Sequence, residues 1–216
     1  MHTVIFDVGG TLIDSPDLFK HIMASFYEED VEVERYLLHK FSEYYQGNGP
    51  FFKIATILEK VFSEIAMEFN IKDYSSLTAN IYKEFFTQKT YLYEDTISVL
   101  KFMKNKNTRL LICSDADSEV LREELIQFKI KDYFERIFIS SDIKAYKPSE
   151  KVVSILSDII MGNREEILFV GDSRQDIITG QKLGIKTAYI NRLNKKIDVK
   201  ADYEIKQLAE LCALYK

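Results

Sequence analysis

The sequence predicts an α/β fold: a parallel sheet interrupted, after its first strand, by a helical insertion. Three observations carry that expectation. Short apolar runs alternate with helical periodicity beyond about residue 92, the stretch from about Pro16 to Gln88 holds almost no strand-like run, and three polar clusters each follow directly on an apolar run. Alternation of the first kind is what βαβ units produce, because every crossover helix needs an amphipathic segment between two buried strands.

The bulk properties agree. A chain of 216 residues suits one large domain or a domain carrying an insertion, and it buries an ample core without staples. With 29 basic against 34 acidic residues the formal charge is −5, which argues against nucleic acid or an anionic membrane as partners, since both are drawn by excess Lys and Arg. Cys113 and Cys212 make no disulfide framework or paired metal-ligand spacing, so a reduced, cytoplasmic setting is expected. No run reaches the roughly 18 consecutive apolar residues of a membrane span, and Met1-His2-Thr3 passes straight into Val4-Ile5-Phe6-Asp7 without a leader pattern. His2, His21 and His39 are scattered and suggest neither a zinc site nor a Ser-His-Asp triad.

Taken in order, the first strand is Val4 to Phe6. The insertion follows; its Phe51, Phe52, Phe62, Phe69, Phe85 and Phe86 read as packing residues, and its clearest interruption is Gln46-Gly47-Asn48-Gly49-Pro50. Strands are expected at Arg109 to Cys113, Ile137 to Ile139, Ile167 to Val170 and Thr187 to Ile190, and helices at Thr96 to Met103, Ser118 to Phe128, Ser149 to Ile160 and Asp176 to Leu183. Val152, Val153, Leu156, Ile159 and Ile160 form the apolar stripe of one of these helices.

Ligands in open α/β sheets bind outside the carboxyl ends of the strands, where residues distant in sequence converge. Three clusters are placed there. In Asp7-Val8-Gly9-Gly10-Thr11-Leu12 an acid ends the first strand and two glycines allow a close backbone path. In Cys113-Ser114-Asp115 a small hydroxyl ends a strand; it could equally shape a turn or cap the next helix. In Gly171-Asp172-Ser173-Arg174-Gln175-Asp176 two carboxylates four apart make a hard-cation site plausible, although Asp176 also suits a helix N-terminus. A fourth segment, Lys144-Ala145-Tyr146-Lys147-Pro148, places Lys147 at a loop-to-helix junction with Pro148 suited to the first turn.

In this order the four clusters resemble the haloacid dehalogenase superfamily, whose members are mostly magnesium-dependent phosphohydrolases. Asp7 with Gly10-Thr11-Leu12 looks like its first motif, Ser114 the second, Lys147 before Pro148 the third, and Gly171-Asp172 with Asp176 the fourth. The resemblance implies a Rossmann-like core at residues 1–15 and 92–216 with a helical cap at 16–91. It also implies a cytoplasmic enzyme that takes a small phosphorylated molecule; the sequence does not specify an oligomeric state. Asp7 would be the nucleophile that forms an aspartyl-phosphate. Mg2+ would be held by Asp7, the Gly9 carbonyl and Asp172, with Asp176 supporting it directly or through water. Lys147 and Ser114 would meet the phosphoryl oxygens beside backbone amides near Val8 and Gly9, with Asp115 in the same substrate-binding loop.

One departure concerns catalysis. Phosphatases of this family usually carry a second aspartate two residues after the nucleophile, as general acid and base, and here that position is Gly9. General acid-base catalysis is worth about 10²- to 10⁴-fold. The leading expectation is a phosphatase that is slow or biased towards good leaving groups. Alternatives are dehalogenation of 2-haloacids, which needs neither the second aspartate nor a metal but typically lacks Gly171-Asp172; phosphonate cleavage, which would call on a cap lysine such as Lys20, Lys40 or Lys53; and a phosphate-ligand-binding homologue without turnover. The Gln46 to Phe52 loop is a candidate for reaching substrate, as is Arg174; a plain helix connection and a solvent-facing side chain are the competing readings.

Overall fold

The computed structural model describes residues 2–14, 16–27, 30–46, 50–160 and 162–214. The sheet is built from β1 (Thr3–Phe6), β4 (Arg109–Ser114), β5 (Arg136–Ile139), β6 (Ile167–Gly171), β7 (Lys186–Ile190) and β8 (Tyr203–Ile205), in the order β5-β4-β1-β6-β7-β8. Every pairing is parallel, and β1 sits between β4 and β6 with Thr3 opposite both Arg109 and Ile167. Chain order therefore reverses direction across the sheet at β1, which puts a crevice outside the carboxyl end of that strand.

The strands are apolar on both faces because helices cover both. Val4 and Phe6 belong to one core cluster, with Leu110, Ile112, Leu168 and Val170. Ile5 belongs to another, with Leu111, Cys113, Ile167 and Phe169. That is the period-two alternation of a strand buried on both sides. α5 (Thr96–Asn105) and α6 (Ser118–Gln127) contribute Val99, Leu100, Leu121 and Leu125 to the first cluster, and α8 (Glu150–Ile159) contributes Val152 and Leu156 to the second. α9 (Arg174–Lys182) follows β6 and packs on β6 and β7.

Between β1 and α5 the chain runs through α1 (Leu18–Phe26), α2 (Val31–Gln46), α3 (Ile54–Glu68) and α4 (Ser75–Gln88). These helices enclose their own cluster, including Ile22, Leu37, Ile57, Leu58, Phe62, Ile65 and Tyr82, which takes in Val120 of α6 as well. Of the aromatics expected to pack, Phe62 and Phe85 are fully buried, and Phe52, Phe69 and Phe86 lie half-buried against this cluster. A short ribbon brackets the segment: β2 (Ile13–Asp14) pairs antiparallel with β3 (Tyr91–Leu92).

The structure also adds and shifts elements. α7 (Ser140–Ile143) is a single turn, too short to show periodicity, and β8 is a three-residue edge strand whose Glu204 is exposed, so neither carries an apolar run. α8 starts at Glu150 with Ser149 accepting from the Val152 amide, so Pro148 precedes the cap instead of occupying the first turn. Helix α9 opens at Arg174, which makes Asp176 its third residue. No helix among the described residues is long and apolar enough to cross a membrane.

Candidate active site

Asp7 continues β1 for one residue, its amide donating to the Val170 carbonyl at 2.9 Å. The chain then turns tightly, with the Val8 carbonyl accepting from Thr11, Leu12 and Ile13. Gly10 has φ of +70°, and a Cβ there would lie 2.2 Å from Asp172 Oδ2. A Cβ at Gly171 would lie 2.3 Å from the carboxyl of Asp176. Both glycines thus leave space that a carboxylate occupies, and at Gly10 the left-handed conformation adds a second reason for glycine.

Lys147 crosses beneath these loops and is 5% exposed. Its Nζ donates to Asp7 Oδ1 at 2.7 Å, to Asp176 Oδ1 at 2.5 Å and to the Cys113 carbonyl at 3.0 Å, which uses all three ammonium protons. Its backbone amide donates to Asp115 Oδ1, and Asp115 Oδ2 accepts from Tyr45 of α2 at 3.0 Å. Asp176 spends its other oxygen on the Ser173 amide and hydroxyl, forming a capping box at the start of α9. Both readings of Asp176 therefore meet in one side chain: it caps a helix and faces the site.

Asp7, Asp172 and Asp176 each offer a carboxylate oxygen, all within 4.8 Å of one another. Burial raises the Asp7 carboxyl well above its ordinary value; Lys147 opposes this, and Asp176 and Asp172 reinforce it. Asp172 is pushed up to about 7, by burial and then by Asp176. Burial acts to lower the Lys147 pKa, but Asp176 and Asp7 outweigh it and hold the ammonium well above the usual lysine range. Two buried carboxyls and the half-buried Asp172 around one ammonium carry excess negative charge when all three ionise. A hard divalent cation relieves that, and the all-oxygen donor set suits one.

Ser114 ends β4, buried, and shares with Val8, Gly9 and Asp115 the wall of a cavity beside the carboxylates. It caps no helix: α6 begins at Ser118, with Asp117 in the capping position. Asp117 itself accepts from the Ile54 and Ala55 amides, both at 2.9 Å, and so fixes the start of α3 onto the core. Of the Gln46 to Phe52 loop, residues 47–49 lie outside the described residues. Its flanks do reach the site region: Tyr45 lies 4.2 Å and Phe51 4.8 Å from the ring of Tyr146, and the Tyr146 hydroxyl donates to the Phe52 carbonyl. Arg174 pairs with Asp198 on an exposed surface, the solvent-facing alternative.

Several contributors escaped sequence reasoning. Tyr146 neighbours Lys147 and Asp117 lies three residues after Ser114, so proximity to the motifs was their signal. Tyr45 had no such mark. Arg192 follows β7; it donates to the Thr11 carbonyl and Asp95 and lies 3.6 Å over the Tyr93 ring, bracing the loop after Asp7.

Comparison with known proteins bears on the fold and the family. A pyrophosphatase PpaX, provisionally so named, from Caldanaerobacter subterraneus subsp. tengcongensis is 26% identical over 221 aligned positions, covering 99% of this chain and 94% of its own. The candidate HAD-hydrolase YfnB from Bacillus subtilis, in a magnesium-bound form, superposes with a TM-score of 0.77 at 21% identity, over 99% of this chain and 97% of its own. An L-2-haloacid dehalogenase from Xanthobacter autotrophicus superposes with a TM-score of 0.78 at 15% identity, over 99% and 98% of the two chains. At these identities the two structures speak to the fold. The sequence profile described as haloacid dehalogenase-like hydrolase matches residues 4–190, a span that runs from the strand bearing Asp7 to the end of β7, and the chain belongs to that hydrolase family.

Proposed function

We propose that the protein is a magnesium-dependent phosphatase of a small phosphorylated molecule, working through an aspartyl-phosphate on Asp7. The observation that carries this reading is the convergence of Asp7, Lys147, Asp172 and Asp176 at the carboxyl end of β1. Asp7, the Gly9 carbonyl and Asp172 would hold Mg2+, with Asp176 orienting the set through Lys147 and Ser173. Bound there, the ion offsets the repulsion between an attacking carboxylate and the phosphoryl oxygens.

Asp7 attacks phosphorus, the bond to the leaving oxygen breaks, and water then cleaves the acyl-phosphate to restore the carboxylate and release inorganic phosphate. Lys147 holds Asp7 in place and offers positive charge to the phosphoryl oxygens, while Ser114 donates from the end of β4. Gly9 has no proton to give the departing oxygen. Leaving groups that depart as stable anions are therefore favoured, an aryl phosphate over an alkyl one.

The acidic trio also separates this reading from haloacid dehalogenation. Asp7 would serve as nucleophile in either reaction, but Asp172 and Asp176 beside it form a cation-binding set that a metal-free displacement on a 2-haloacid has no use for. The test is magnesium-dependent hydrolysis of phenyl phosphate and of butyl phosphate, with Gly9→Asp alongside. Gly9 is not among the described glycines at positive φ, so an aspartate fits its backbone, and the substitution is expected to raise butyl phosphate turnover by about 10²-fold. No cleavage of either ester in magnesium would refute the proposal.

A further inference from the structure

The cavity that Gly9 and Ser114 line has a volume of about 130 Å³ and extends among Tyr82 and Phe86 of α4 and Leu121 and Glu124 of α6. If the phosphoryl group lies where Asp7 and Lys147 meet, the departing half of the substrate enters this space. Its wall is mostly apolar, and among the described residues no lysine or arginine lines it. Among its polar members, which include Ser114 and Asp115, Glu124 stands apart. It is 3% exposed, and its Oε1 has no hydrogen-bond partner among the described residues. A buried carboxyl oxygen left unpaired is costly, so it marks a place where something else completes the bond.

We propose that Glu124 is a specificity-determining residue, its Oε1 pairing with a hydroxyl on the leaving group, so that the substrates are small hydroxyalkyl monophosphates and not diphosphates. This rests on the phosphatase reading above. Size supports it: an apolar cavity of about 150 Å³ admits benzene, so this one suits an alcohol of about five heavy atoms. Charge supports it too, because a second phosphate placed here would face Glu124 and Asp115 with no cation in the lining. Chemistry selects a hydroxyl. Burial pushes the Glu124 carboxyl up to about 7, and a hydroxyl can donate to it or accept from it in either protonation state. A site built around a substrate hydroxyl rejects the analogue lacking it far more strongly than an apolar pocket rejects a missing methylene.

The experiment compares kcat/KM for 3-hydroxypropyl phosphate, butyl phosphate of equal heavy-atom count, and pyrophosphate in the unmodified protein, Glu124→Gln and Glu124→Leu. The expected result is a preference of about tenfold or more for the hydroxylated ester, pyrophosphate poorest, the preference reduced in Glu124→Gln and lost in Glu124→Leu. Equal rates for the two esters in the unmodified protein, pyrophosphate as the best substrate, or an unchanged preference in Glu124→Leu overturns the assignment. If no ester is cleaved even with magnesium, it is the phosphatase reading that fails. Thermal shifts by the same two esters then judge Glu124 separately: a larger shift from the hydroxylated ester that vanishes in Glu124→Leu supports it, and equal shifts in both proteins overturn it.

Discussion

The two sides of the cleft are built on opposite terms. At the strand ends the groups that hold Asp7 are committed: Lys147 gives its three protons to Asp7, Asp176 and Cys113, and Asp176 gives its second oxygen to Ser173. On the side facing α4, the cavity wall is apolar and its buried carboxyl, Glu124, keeps an oxygen in reserve. Each property of a hydrolase thus has its own wall of the cleft. Reaction geometry tolerates little movement, so its groups are tied down before substrate arrives. Recognition of the variable half of a substrate leaves bonds for the substrate to complete.

The largest effect is expected at Asp7. Asp7→Asn keeps the size and a hydrogen-bonding oxygen but removes the charge, and phenyl phosphate hydrolysis should fall on the order of 10³-fold or more; turnover within tenfold of the unmodified protein would remove Asp7 from the chemistry. Next is Lys147→Ala, which leaves Asp7 and Asp176 buried without their cation. A loss of about 3 to 5 kcal/mol in urea unfolding at neutral pH is expected. A loss near zero would mean the ammonium is not the keystone its bonds suggest.

Glu124 sharpens the other side. Its folded carboxyl sits near 7 against an ordinary 4.5, so between those values the folded chain keeps a proton that the unfolded chain has lost. The stabilisation is whole below about pH 4.5 and is lost as pH rises to about 7, an amount of about 3 kcal/mol. Asp172 and Asp115, also raised, act in the same direction. Glu124→Gln should therefore flatten, without abolishing, the fall in stability between pH 5 and 7, as followed by denaturant titration. The smallest effect is expected at Tyr45→Phe. It removes one hydrogen bond to Asp115 at a cost of about 1 kcal/mol, and it should lift Asp115 above its value of about 6, since the lost bond lowers that pKa. Carboxyl NMR would register the change.

The same division decided what could be read from the chain itself. Asp7, Ser114 and Asp172 lie at or just beyond the carboxyl ends of apolar runs, with Asp176 in the first turn of the helix after the last of them and Lys147 at a loop-to-helix junction, and parallel strands bring strand-end positions together whatever the loops do. The sheet was legible for the same reason, down to strand limits within a residue or so. Tyr45 and Glu124 were not. Glu124 is one of three glutamates in the helix that also holds Glu119 and Glu123, and only the approach of α4 distinguishes the buried one from its exposed neighbours. Tyr45 meets Asp115 seventy positions away, a pairing set by where α2 places it over the residue that follows β4. The edge strand β8 stayed hidden because its three residues expose a glutamate and borrow their order from β7.

The ribbon of Ile13–Asp14 with Tyr91–Leu92 bears on how such a molecule can change over time. Departure and return of the chain are clasped at one point, so the helices in between close a loop whose ends are already together, and lengthening that loop adds only slowly to the entropy of closure, about 0.6 kcal/mol for each doubling. Those helices can behave as a cassette: exchanged or resized behind the clasp, they would alter which molecules fit while the register of the sheet, and the carboxylates it aligns, stay as they are.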